Sequence, residues 1–172
     1  MQSRALAFPK GVHMKTAQQI LDAYWDGMLP INPIKIASAM GIKVKSDPFL
    51  PESGSVEVID GTVHITYNSA EQSNPRWRFT VAHEIGHYAL GHLDRVTTKM
   101  FRDPVANFST GAQLPEERQA NHFAAQLLMP ERIVKYVMME KGVSTIQGLA
   151  SLFRVSQVAM KWRLVNLGMI RG

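Results

Sequence analysis

The sequence contains no cysteine. That excludes disulfides, thiolate nucleophiles and every metal site that depends on a sulfur ligand. No run approaches the roughly 18 apolar residues of a membrane-spanning helix. Residues 4 to 15 lead no apolar core into a small-residue cleavage site, so a cytoplasmic protein without membrane contact is expected. GxGxxG, GxxxxGK[ST] and GxSxG patterns are also missing, which leaves nucleotide cradling and serine-hydrolase chemistry without support. There is no internal repeat and no low-complexity tract.

What the chain does have is 172 residues, 45% of them apolar, enough to bury the core of one compact domain with a small appended subdomain. Its net charge of +5 is unevenly placed. Residues 131 to 172 hold seven Lys or Arg against two acids, a surplus of five, so residues 1 to 130 balance at twelve of each sign. A neutral body with a basic end suggests a second task on an anionic surface or nucleic acid, although a solvated basic face accounts for the same charge.

Thr16 reads as an N-cap for a helix to Asp26, because Ala17, Ile20, Leu21 and Tyr24 recur at helical spacing. Asn32-Pro33, then Ile34, Ala37 and Met40 before Gly41, give a second short helix. Strands are expected at Ile42 to Lys45, Gly54 to Ile59 and Thr62 to Asn68. Asp60-Gly61 lies between the last two, flanked by alternating apolar residues, so a small antiparallel sheet follows. A helix from Arg76 to Leu90 ends at Gly91, and another runs from Pro115 to about Leu128 before Pro130. Between them, residues 92 to 115 are irregular, either a lid over the site or a surface excursion. Residues 131 to 141, a segment capped by Ser144 and a helix capped by Ser156 complete the chain.

The organising stretch is His83-Glu84-Ile85-Gly86-His87, an HExxH pattern inside the apolar run Phe79 to Leu90. Helix positions four apart lie roughly 40° from each other, so the two imidazoles project to one point. Glu84 leans over the edge of that face, placed to take a proton from water on a metal without ligating the metal. Two histidines on a buried helix also serve as satisfied core residues, so the pattern needs a third ligand. His92 is nearest, but the HExxHxxGxxH register requires Gly at 90 and His at 93, where this chain has Leu90 and Leu93. His92 reads instead as a helix-end residue facing the dipole, or one that helps hold substrate.

The better third ligand is Glu117. Glu117, Ala120, Asn121 and Ala124 form one helical stripe, whose alanines let another backbone approach while Glu117 reaches an ion. Asn121, one turn on, can accept the outer N–H of a ligand histidine. Glu117 also suits the first-turn dipole role, which Glu116 fills equally well. His122 lies off the stripe as a surface or packing residue.

HEIGHYALGH followed by ERQANHFAAQLLMP resembles the ImmA/IrrE family of zinc metallopeptidases, with upstream YWDGMLPINPIKIASAMGI and NPRWRFTVAHEIGH also similar. The resemblance covers roughly residues 16 to 130. It implies Zn2+ held by His83, His87 and Glu117, Glu84 as general base, and limited cleavage of helix-turn-helix repressors in some members. Others sit in toxin–antitoxin-like pairs. His64, Tyr67, Tyr88, His92 and Tyr136 are all open candidates to stabilise the oxyanion.

Residues 144 to 168 have the outline of a helix-turn-helix. Leu149, Ala150, Val155, Val158 and Leu164 would fill its core, while the helix capped by Ser156 bears Gln157, Lys161 and, as a further option, Arg163 on its outward face, and Arg154 takes the turn position that often holds Gly. Protein docking or core completion is favoured there over DNA binding. The expected architecture is α+β: a zincin-like metallopeptidase core, residues 16–130, with its small antiparallel sheet packed on the HExxH helix and a second ligand helix. An N-terminal extension, 1–15, precedes it and a basic helical subdomain, 131–172, follows. The alternative to limited proteolysis of a repressor or antitoxin is a regulatory DNA-binding or toxin–antitoxin-type protein that retains its zinc site.

Overall fold

The computed structural model describes residues 15–71, 75–94 and 114–171. Apart from their edges, the N-terminal extension and the irregular stretch expected over 92 to 115 lie outside these residues. Helix α1, Ala17–Tyr24, starts on Thr16, whose hydroxyl accepts from the Gln19 amide while the Gln19 side chain accepts from the Thr16 N–H. This reciprocal capping satisfies two donors at once. In α2, Pro33–Ala39, Asn32 accepts from the amides of Ile34 and Lys35, and Pro33 opens the first turn where no N–H is missed.

Strands β1, Lys43–Asp47, β2, Gly54–Ile59, and β3, Thr62–Asn68, form one sheet in the order β1-β3-β2. Asp60 and Gly61 both take positive φ, 50° and 78°, and turn β2 into β3 with Val58 opposite Val63 and Val56 opposite Ile65. The hairpin is antiparallel as expected, but β1 runs parallel to β3, so the sheet is mixed rather than wholly antiparallel. The link from β1 to β2 crosses the end of β3 and places β1 on the edge that the hairpin leaves open. Asn68 fixes this crossing: its side-chain amide donates to the Leu50 carbonyl at 2.7 Å and its N–H to that of Ser53 at 2.9 Å. β1 also begins one residue later than expected, because the Ile42 N–H donates to Ala37 at the close of α2.

Helix α3, Arg76–Ala89, lies between this sheet and α4, Pro115–Leu128. Every residue from Thr80 to His87 is buried, the three polar motif residues included. The two helices approach closely at Gly86. A Cβ there would lie 3.3 Å from both the Cα and the carbonyl oxygen of Ala120 and 3.1 Å from the Phe123 ring. Small residues on both sides therefore set the interhelical spacing.

Helices α5, Glu131–Glu140, α6, Ile146–Phe153, and α7, Gln157–Asn166, form the C-terminal part, and their apolar side chains join the same buried cluster as the sheet and α3. The cap of α6 is Thr145, not Ser144: its hydroxyl accepts from the Gly148 amide. Arg154 adopts the left-handed conformation, φ 49°, at the turn position, and Ser156 caps α7. Two expectations for this pair are corrected. Val158 is exposed, not part of the inter-helix core, and Arg163 is buried rather than outward. The Arg163 Nε–H donates at 2.9 Å to the carbonyl of Met129, one of the carbonyls that the end of α4 leaves without a helical partner.

Gly86→Ala tests the helix contact. Alanine in an exposed helix gains about 1 kcal/mol over glycine, whereas overpacking against backbone costs about 1–3 kcal/mol. A fall in Tm of a few degrees is expected by thermal denaturation; a higher Tm would show that α4 yields freely.

Candidate metal centre

Three side chains bring their donor atoms together between α3 and α4. His83 Nε2 and His87 Nε2 lie 2.7 Å apart, and the two carboxylate oxygens of Glu117 lie 3.2 Å from them, one on each ring. These three are the one His, Cys, Asp or Glu group among the described residues whose ligand atoms cluster as a metal site would need. Helical spacing brings the imidazoles together, and the Gly86–Ala120 contact brings Glu117 to them. The side chains of His83 and His87 are 0% and 1% exposed and that of Glu117 is 18% exposed, so the cluster is reached from the Glu117 side.

The hydrogen bonds around the rings decide which nitrogens carry protons. His83 Nδ1–H donates to Asn121 Oδ1 at 2.7 Å. His92 Nε2 faces the Gln119 amide oxygen at 2.9 Å, an atom that only accepts, so His92 carries its proton on Nε2 and offers a lone pair at Nδ1. His87 Nδ1–H, 2.9 Å away, then donates to that lone pair. Both Nε2 atoms are left as acceptors, aimed at each other and at a carboxylate. Three electron-pair donors with no donor hydrogen between them fit a cation, and two imidazoles with one carboxylate are a donor set that zinc favours.

Burial alone would raise the Glu117 carboxyl. When either ring takes a second proton, on Nε2, it donates that hydrogen to the carboxylate and its charge adds to the effect; together these outweigh burial and hold the group well below the ordinary carboxylate range. Glu117 is therefore an anion at neutral pH, the form that ligates.

Glu84 faces β2. It is buried on the sheet side of α3, and a Cβ at Gly54, the first residue of β2, would lie 3.2 Å from its Oε1 and 2.4 Å from Thr80 Cγ2. The absence of a side chain at Gly54 makes room for this carboxylate. Among the oxyanion candidates, His92 has a hydrogen bond to the cluster, through His87. His64 lies on β3 opposite Glu57, Tyr67 is buried and stacked on Trp77, Tyr88 is half-buried on α3, and Tyr136 is exposed on α5. His122 is exposed, next to Gln126.

Sequence reasoning missed Gln119 and Gly54, and it placed His92 at a helix end facing the dipole. His92 is in fact buried and turned back on His87. Its one available signal was its position directly after Gly91, whose positive φ of 71° reverses the chain. Replacing Asn121 with leucine removes the acceptor on His83, and the zinc affinity of the purified protein should fall by about 10–100-fold. Unchanged affinity would mean that the contact does not orient the ring.

Against known proteins, the chain matches the family model described as the IrrE N-terminal-like domain over residues 37–165, three quarters of its length. No curated protein matches. The match spans α3, α4 and nearly all of α7, so it takes in both ligand-bearing helices and most of the C-terminal part. With the fold and the donor set agreeing, the chain belongs to the IrrE N-terminal-like family of metallopeptidases.

Proposed function

We infer that this zinc-dependent metallopeptidase makes limited cuts in a protein substrate, a helix-turn-helix repressor or an antitoxin, with Glu84 as general base. The observation that carries the reading is the convergence of two imidazole lone pairs and the Glu117 carboxylate, with the Glu84 carboxylate on the adjoining face of the same helix. His83, His87 and Glu117 would hold the zinc, and Asn121 would orient His83. When bound, zinc supplies Lewis acidity, bringing the pKa of water to about 7 and polarising a carbonyl. Glu84 accepts the proton of the attacking water and returns one to the leaving amine.

Limited cleavage follows from access. A folded surface does not reach imidazoles this deeply buried, whereas an extended segment can enter along the side that Glu117 leaves open. The identity of the substrate as a repressor or antitoxin comes from the family resemblance, and a cytoplasmic location agrees with such a target.

The second reading, a regulatory binding protein with little proteolysis, draws on residues 131–172 taken as a basic helical subdomain. The left-handed turn at Arg154 and the Ser156-capped α7 suit a helix-turn-helix. Buried Arg163 and exposed Val158 and Trp162 leave the outward face of α7 more apolar than a base-reading helix, which favours protein docking over DNA.

Co-expression of wild type and Glu84→Gln with repressor-like proteins encoded nearby, followed by intact-mass analysis, separates the readings. One defined cut by wild type and none by Glu84→Gln, at equal zinc content, is expected. An intact partner with both, together with tight, salt-sensitive duplex binding by both, would favour the regulatory reading. Gly54→Ala should retain zinc yet lower the cleavage rate by about 10–100-fold, since displacing a reacting group by about 1 Å has an effect of that order. Adding Thr80→Ser, which removes the clashing methyl, should recover part of that rate; wild-type cleavage by Gly54→Ala alone would show that Glu84 needs no such clearance.

A further inference from the structure

We propose that His92 is a positioning residue that fixes His87 in its metal-binding tautomer, and that Gln119 sets the polarity of the pair. The inference rests on the zinc reading of the cluster. His92 sits in a 3-10 turn, His92–Asp94, just beyond Gly91, where the reversed chain lays its ring against the edge of His87, centroids 5.1 Å apart at 66°. Only 2% of His92 is exposed, so water does not substitute for these contacts.

The polarity runs inward from α4. The Gln119 oxygen holds a proton on His92 Nε2, the His92 Nδ1 lone pair holds a proton on His87 Nδ1, and His87 Nε2 is left bare toward His83 and Glu117. Without His92, His87 loses its outer acceptor. The competing tautomer, with the proton on Nε2, then places hydrogen where the metal must bind. Gln119 lies two residues from Glu117 and two from Asn121, so α4 supplies one ligand and, directly or through His92, the support of both imidazoles.

The test is zinc affinity of the full-length chain, measured by competition with a chelating dye, alongside thermal unfolding of the metal-free proteins. His92→Phe preserves ring volume and removes the acceptor; it should weaken zinc binding by about 10–100-fold while the metal-free form still unfolds cooperatively. Gln119→Leu should weaken binding less, and Gln119→Glu, which keeps an acceptor oxygen, should bind as wild type. His92 lines a cavity of about 360 Å³ together with Leu90, Gln119 and Phe123, so added imidazole should restore zinc affinity to His92→Gly. Wild-type affinity in His92→Phe overturns the proposal. So does equal loss in Gln119→Leu and Gln119→Glu, or a His92→Gly variant that imidazole leaves unrestored, since those results mark a merely structural contact. A wild-type chain that binds no zinc sinks the metal reading itself, a result distinct from any of these.

Discussion

The two helices that hold the cluster touch backbone to backbone, with Gly86 of α3 against Ala120 of α4, and the position of Glu117 depends on that contact. Glu117 lies three residues before Ala120 on the same stripe, so any separation at the contact carries the carboxylate away from the imidazoles. Interaxial distances vary over about 8–10 Å with the side chains at the crossing. Metal–ligand distances tolerate only about 0.2 Å. The helix spacing therefore has a range several times larger than the site can absorb, and two small residues remove it.

A site this deep places two imidazoles and two carboxylates where water does not freely solvate them, and an unpaired polar atom there costs about 1–3 kcal/mol. Each imidazole meets the requirement through its outer nitrogen, and the chain of acceptors leads outward until it reaches a residue near solvent: Asn121 directly for His83, Gln119 by way of His92 for His87. The same bonds that satisfy the rings also select their tautomers. Stability and ligation thus impose one condition on these residues, not two competing ones.

Features governed by neighbours in sequence were readable before the structure. The β2–β3 hairpin follows from Asp60-Gly61 and the alternating valines, the caps at Thr16, Asn32 and Ser156 from hydroxyl and amide side chains before helical periods, and the ligand trio from i, i+4 spacing plus one stripe on α4. Features decided by a distant partner were not. β1 takes the edge of β3 that the hairpin leaves open, and it runs parallel to β3 because the short link to β2 reverses the chain on its way past the end of β3. Arg163 is buried because a free carbonyl at Met129 awaits a donor, 34 positions earlier in the chain. Thr145 rather than Ser144 caps α6, a choice between adjacent hydroxyls that the helical period does not resolve. His92 was obscured in another way: the failed ligand register at 90 and 93 discounted it, and Gly91 marks a reversal of the chain without showing that the ring returns to His87.

The structure also divides labour across α3. On one side, α4 carries the third ligand and the supports of both rings; on the other, β2 presents Gly54 to the Glu84 carboxylate. Adjacent residues on a helix differ by about 100°, so His83 and Glu84 answer to different neighbours although they are joined by one peptide bond. On the proposed reading, changes on α4 would act on metal affinity, and changes at the start of β2 would act on Glu84 without touching the ligand cluster. A helix buried on both sides is what makes the two adjustable independently: a surface helix would give one of these residues to solvent, and neither its position nor its protonation would then be set by the fold.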